Sequence, residues 1–264
     1  MQKGRTRLFI PREEIPRGLY LTLSILGFLT ILGAWSAVTY TGVVDPLFLP
    51  TPTRILVDGW RLVTQLGFGT DVLVTVARVL AGFGLAAVIA IPLGIVMGTF
   101  RPVAAFVQPV MSFMRYLPAS AFIPLFILWI GLEEPEKVAV IFVGSFFSLV
   151  LMVAVTANAV PRELLEVSYT LGVTPGTVVW RVLMPSALPA IVDTLIVTLG
   201  WAWTYIIVAE LVGADSGIGH RILESQRTLR TGYIIFGIVT IGLVGLVSDL
   251  FLTWLRRRLF PWTE

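Results

Sequence analysis

The sequence predicts an all-α membrane protein of about six transmembrane helices carrying a cytoplasmic hairpin. Three observations predict it. Of 264 residues, 56% are hydrophobic and 13% charged, against about 45–50% and about 25% in soluble domains, and one soluble core of this length could not hide that much apolar surface. The apolar residues gather into six runs, at 19–41, 70–99, 118–132, 137–160, 185–213 and 232–255. Lys and Arg fall in the short stretches between the runs, as topology charges do, and not along one face as in a nucleic-acid binder.

The chain starts basic, with Lys3, Arg5, Arg7 and Arg12. The first apolar run is long and has no small-residue cleavage site, so it reads as a retained anchor and not as a signal peptide. Residues 1–18 are expected as a cytoplasmic N-terminal segment, and 19–66 as the first transmembrane helix plus a periplasmic amphipathic helix. In that second helix Thr53 is placed to cap, and Ile55, Leu56, Trp60 and Val63 recur at helical spacing, which suits a helix lying along the interface. Residues 67–256 form the transmembrane domain proper, and 257–264 a cytoplasmic tail.

Within the second run Gly82, Gly84, Ala86, Ala90, Gly94 and Gly98 crowd together. The Gly94–Gly98 pair lets another helix approach closely, and packing inside one subunit is expected ahead of a dimer contact. The third run holds Pro118 and Pro124 and is short. It is either a kinked span that takes in residues 106–117 or a re-entrant segment. The other runs each cover about 30 Å of hydrocarbon.

With both ends inside, the cytoplasmic stretches hold twelve of the 19 basic residues and the opposite side six, namely Arg54, Arg61, Lys137, Arg221, Arg227 and Arg230. That excess places both termini in the cytoplasm. The acidic turn Glu133-Glu134-Pro135-Glu136 then falls outside.

Between the fourth and fifth runs lies Pro161–Pro185. Pro161 suits a first helical position, and Glu163 and Glu166 fall in the early turns where acids favour the helix dipole. Leu164, Leu165 and Tyr169 make one apolar side, and Gly172 suits a C-terminal stop. Thr174-Pro175 starts a second short helix with Val178, Val179 and Val182 apolar, and Pro185 is expected to end it at the mouth of the fifth span.

This segment resembles a signature of bacterial ABC importer permeases: Glu-Ala-Ala, three residues, Gly, nine residues, Ile-x-Leu-Pro. Glu166, Gly172, Val182, Met184 and Pro185 fall in that register, with Val167 and Ser168 in place of the alanines. Leu49-Pro50-Thr51-Pro52, Arg115-Tyr116-Leu117-Pro118, Ile123-Pro124…Trp129-Ile130-Gly131, Ala209-Glu210-Leu211-Val212-Gly213, Gly217-Ile218-Gly219-His220 and Arg256-Arg257-Arg258 look like the nitrate, sulfonate, taurine and bicarbonate branch. The resemblance covers roughly residues 45–260 and implies a type I importer transmembrane domain. It further implies two permease copies, an ABC ATPase carrying ATP and Mg, a periplasmic solute-binding protein and a location in the inner membrane. Glu163, Glu166, Ser168, Gly172, Pro175 and Pro185 would then couple to the ATPase.

Candidate pathway residues are Arg78, about eight residues into the second run, and Thr198, Trp201, Thr204, Tyr205 and Glu210 in the fifth. Arg78 either meets an anionic substrate or snorkels or pairs internally. The hydroxyls and indoles inside the fifth run, Trp203 included, either face a hydrated path or simply pack. Glu210 reads first as a structural helix-end acid.

Other classes fit worse. The chain has no cysteine and one histidine, His220, in what reads as a loop, which removes thiolate sites and the nucleophile–base pair of an intramembrane enzyme. No Gly-x-x-x-x-Gly-Lys-Ser/Thr pattern occurs, so the chain has no phosphate loop of that kind. An ion-gradient-driven secondary carrier is the main alternative, but no repeat and few central charges support it.

Overall fold

The computed structural model describes residues 15–263, so the basic start through Arg12 lies outside the described residues. Every regular element in them is helical. In chain order these are α1 (Arg17–Tyr40), α2 (Pro52–Gln65), α3 (Phe68–Thr99), α4 (Arg101–Met114), α5 (Ile123–Ile130), α6 (Glu134–Asn158), α7 (Arg162–Thr170), α8 (Pro175–Val178), α9 (Met184–Gly213), α10 (Ile218–Arg227) and α11 (Thr231–Leu259).

Five helical stretches are long and apolar enough to cross a membrane: α1, α3, α6, Pro175–Gly213 and α11. A sixth crossing exists if α4 and the following 119–130 stretch are taken together, but these two are bent by 83°. The bend is where the sequence requires one. Pro118 bars Leu117 from helical backbone, and residues 119–122 restart as a single 3₁₀ turn. The apolar run at 118–132 is therefore half of a broken unit that begins at Arg101.

Helices α3, α6 and α9 form the core. On α3, Gly82, Ala86, Ala90, Gly94 and Gly98 repeat every fourth residue and so fall in one stripe. That stripe lies against α6 of the same chain. A Cβ on Gly94 would sit 2.7 Å from Val153 Cβ, and one on Gly98 would sit 2.4 Å from the Ala154 carbonyl oxygen. Close packing within the subunit is thus what these glycines serve. Gly84, off the stripe, faces open space. On the other side of α6, Gly144 receives the ring of Tyr205 from α9, at 2.5 Å from the position of a Cβ.

α1 buries only Thr39, and α11 only Gly232 and Gly237. Their long apolar faces are what lipid would cover. α2 crosses α11 where Gly59 receives the ring of Phe236. Its N-cap is Thr51, whose Oγ1 accepts from the Arg54 N–H at 3.3 Å, so the helix starts two residues before the expected Thr53 cap. Pro52 at the first helical position, with no N–H to satisfy, explains the shift. Ile55, Asp58, Gly59 and Leu62 face the protein, while Leu56, Trp60 and Val63 stay exposed.

The helices define two ends. The α7–α8 hairpin, the ends of α3 and α6, and the start of α9 share one. α2, α10 and the start of α11 share the other. Arg256, late in α11, pairs with Asp193, early in α9, at 2.6 Å toward the hairpin end.

Candidate functional site

The hairpin is built as its residues dictate. α7 begins at Arg162, with Pro161 one residue earlier than expected, as cap. At its end Gly172 takes φ 77°, the Gly172 N–H reaches Tyr169 O at 2.9 Å, and the Val173 N–H reaches Ser168 O at 3.1 Å. These two bonds are the Schellman pair, and the residue between helix and turn must be left-handed to make them. Ser168 is buried, and its hydroxyl donates to Leu164 O at 2.7 Å. Thr174 occupies the N-cap position of α8, its hydroxyl 2.9 Å from that of Thr177, and Pro175 takes the first helical position.

Pro185 departs from expectation. It does not end the second helix but lies in the first turn of α9. Lacking an N–H, it cannot bond the Arg181 carbonyl, and its ring crowds that oxygen. Residues Val179–Leu183 relax into a π turn, with the Met184 N–H bonding Val179 O five residues back. The hairpin therefore runs into α9 without a loop.

Glu163 and Glu166 are exposed on α7 and form no ion pair among the described residues. Around them stand exposed apolar side chains: Val167, Leu171 (77% exposed) and Trp180 (66%). Apolar tips at this exposure on a tightly capped elbow form a surface that a partner protein could cover. Beside it opens a cavity of about 720 Å³ between α3, α4, α6 and α7, with Arg101, Gln108, Ser112, Arg115, Asn158 and Arg162 in its wall, and Glu166 lines this cavity as well.

The other end holds a buried ionic cluster. Arg78, 3% exposed, donates from Nε and Nη2 to Glu134 at 2.6 and 2.5 Å, and from Nη1 to Glu210 Oε1 and Ser216 O, both at 2.8 Å. Glu210 is fully buried and also accepts from Thr75 Oγ1 (2.8 Å) and the Gly219 N–H (2.7 Å). Gly217 and Gly219 leave room for its carboxylate, since a Cβ on Gly217 would lie 2.4 Å from Glu210 Oε1. Nearby, Arg221 pairs with Asp71 at 2.8 Å and Glu224 at 2.7 Å. Burial opposes the Arg221 charge, but those two carboxylates hold its pKa above the ordinary value. Lys137 caps the carbonyls of Leu132 and Gly213 and lies 3.5 Å from Glu136.

The structure thus brings Arg78 and Glu210 together and separates the remaining pathway candidates. Thr198 is buried and spends its hydroxyl on Thr194 O, 2.8 Å away in its own helix. Tyr205 packs on Gly144. Trp201 and Thr204 lie on an exposed face of α9 with Val197, Val208 and Val212. The expected acidic turn at 133–136 is instead the first turn of α6, where Glu134 holds Arg78 and Glu136 is buried. His220 is not in a loop but in the first turn of α10. Sequence reading missed Thr75, Glu134, Ser216 and the Asp71–Arg221 pair. The only signal for them was the scarcity of charge, which makes any acid near an apolar run suspect.

Fold and composition together define a polytopic helical membrane protein. Residues 90–261 match the family model described as binding-protein-dependent transport system inner membrane component. A protein named probable ABC transporter permease in Brucella abortus (strain 2308) is 35% identical over 92% of this chain and 96% of its own length. The taurine transport system permease TauC of Escherichia coli (29%, over 94% and 92%) and the nitrate import permease NrtB of Synechocystis (28%, over 81% and 81%) are also similar. A chain of the inward-facing MetNI methionine ABC transporter shares the fold, with TM-score 0.61 and 22% identity over 75% of this chain and 96% of that one. The chain belongs to the binding-protein-dependent transport family, as an inner-membrane, multi-pass permease subunit. Nothing in these matches supports a self-sufficient secondary carrier.

Proposed function

We propose that this permease imports a small anion of the sulfonate, taurine, nitrate or bicarbonate class, with both termini and the hairpin in the cytoplasm. An ABC ATPase seats against the α7–α8 elbow and carries the ATP and Mg. The observation that carries this is the elbow itself: Glu163 and Glu166 without an ion pair among the described residues, exposed Val167, Leu171 and Trp180, and a rigid turn at Gly172. Motion of the ATPase passes through the π turn to α9 and switches access between the two sides of the membrane.

A second copy covers the exposed α9 face of Val197, Trp201, Thr204, Val208 and Val212, so that two subunits enclose the path. The relatives named for taurine and nitrate support the anion assignment. So do the arginines of the cavity at the hairpin end: Arg101, Arg115 and Arg162 outnumber its one carboxylate, Glu166, and suit an oxyanion leaving toward the cytoplasm. Arg78 places four of its five N–H donors on carboxylates and the Ser216 carbonyl and the fifth on the Ser216 hydroxyl at 3.4 Å, so no donor is left for a substrate in this conformation and it acts there as a tie between α3, α6 and α9.

Glu166→Lys tests the coupling role. The variant should insert normally but lose uptake and the stimulation of ATP hydrolysis in the assembled transporter. Uptake at the parental rate would remove Glu166 from the coupling surface.

A further inference from the structure

Besides Arg78, six basic residues among the described ones lie at the end opposite the hairpin, against the charge rule that orients the chain, and their presence there calls for a reason. The fold accounts for two. Lys137 is consumed by backbone carbonyls and Glu136, and Arg221 by Asp71 and Glu224. Arg61 and Arg227 form no hydrogen bond or ion pair among the described residues. Arg54 has a single 3.4 Å contact to Asp58 and keeps 67% of its side chain exposed, and Arg230 only lies over the Tyr233 ring.

Three of these four meet. Arg54 and Arg61 from α2, and Arg230 at the N-terminus of α11, line one pocket of about 510 Å³, with Asp58 the one carboxylate in its wall. The pocket is held in shape. Thr231 Oγ1 donates to Leu47 O and ties the loop before α2 to the start of α11. Leu229 adopts φ 54° so that the Arg230 N–H can close on Ser225 O at 2.9 Å. A branched side chain in the left-handed region costs about 1–2 kcal/mol, and here that backbone sets Arg230 at the rim. The start of a 29-residue helix adds the positive end of its dipole.

The direction in which the pocket opens decides what it meets. On α2, at about 100° per residue, the Arg54–Asp58–Arg61 stripe stands roughly 180–240° from exposed Leu56, Trp60 and Val63. An interfacial helix rests its apolar face in lipid. The arginines therefore point away from the bilayer into water, where a soluble acidic surface, not a lipid headgroup, is within reach.

We infer that this pocket is a docking point for carboxylates on the soluble solute-binding protein. The inference rests on the importer reading and its orientation. The partner's existence follows from the family, while the place and the chemistry come from three arginines around one hollow, of which only Arg54 meets a carboxylate, at 3.4 Å. Such a contact steers association and fixes the partner's register, so it governs the concentration of partner needed more than the maximal rate.

The test uses the assembled transporter with its ATPase in nanodiscs, titrated with solute-loaded binding protein while ATP hydrolysis is followed. Arg54→Gln/Arg61→Gln/Arg230→Gln should raise the half-saturating partner concentration by roughly ten-fold and flatten its salt dependence, with the rate at saturation retained. Arg61→Gln alone, which removes no bond from the fold, should shift it in the same direction. Arg227→Gln, at the same end but outside the pocket, should leave it within about two-fold. Neutralising the matching carboxylate on the binding protein should cost less in the triple variant than in the parent.

An unchanged half-saturation in the triple variant, or an equal shift from Arg227→Gln, overturns the docking point and leaves the importer standing. A shift that follows the anionic lipid content of the nanodisc and not the partner's carboxylates makes the pocket a headgroup site and also overturns it. No stimulation of the unsubstituted transporter by any binding protein overturns both readings.

Discussion

Replacing Arg78 with methionine is the sharpest test of the ionic cluster. The substitution keeps much of the side-chain bulk, removes the cation, and leaves Glu210 fully buried with only Thr75 Oγ1 and the Gly219 N–H as donors. Removing one partner of a buried ion pair costs about 3–5 kcal/mol, because the stranded charge has no water to turn to. Glu134 suffers less, since 63% of its side chain is exposed and it can rehydrate. For a chain of this size each kcal/mol moves the melting temperature by roughly 2–4 °C, so the fall should be roughly 6–20 °C. Adding Glu210→Gln withdraws the stranded charge and keeps an acceptor, and it should return about 0.5–3 kcal/mol. The assay is thermal unfolding of detergent-purified protein by tryptophan fluorescence, on the parent, both singles and the double. A single variant melting within about 2 °C of the parent, or a double variant melting below Arg78→Met, would refute the cluster as a structural tie.

Two further perturbations check the fold that carries it. Gly98→Val drives a side chain into the Ala154 carbonyl, 2.4 Å from the Cβ position, and should cost about 1–3 kcal/mol or more; Gly84→Ala, with nothing within 4 Å, should be neutral or gain up to about 1 kcal/mol. The fraction of inserted, monodisperse protein measures both, and equal yields would contradict the α3–α6 contact. At the elbow, space around Gly172 is open, so Gly172→Ala is penalised only through its φ of 77°, by about 1–2 kcal/mol. Hydrogen exchange at the Val173 amide should accelerate in that variant and less so in Gly172→Asn; unchanged protection would mean the turn does not need a left-handed residue.

The crossings were legible because lipid demands long apolar runs, and 13% charge leaves nowhere else to break them. The elbow was legible too, because Gly172 and Thr174-Pro175 are local signals that need no tertiary knowledge. What escaped was of three kinds. Partners such as Arg78 and Glu210 lie 132 positions apart, and Arg221 and Asp71 150 apart, so no local pattern joins them. Prolines were read by their average behaviour, but Pro185 is absorbed by a wider turn because the helix beyond it is long and well packed. α10 was missed for a third reason: ten residues beginning Ile218-Gly219-His220 carry too few apolar positions to show a period.

The π turn has a mechanical consequence. Residues 175–213 form one stretch of 39 residues, a rod of about 58 Å at roughly 1.5 Å per residue. A rod pivoted near its foot turns a tilt of about 10° there into a sweep of about 10 Å at its tip. That tip carries Glu210, clasped by Arg78, Thr75 and Gly219. In the coupling proposed above, leverage applied at the base would be spent on prising open a charged clasp at the far end, and the strength of that clasp would set how hard the base must be pushed.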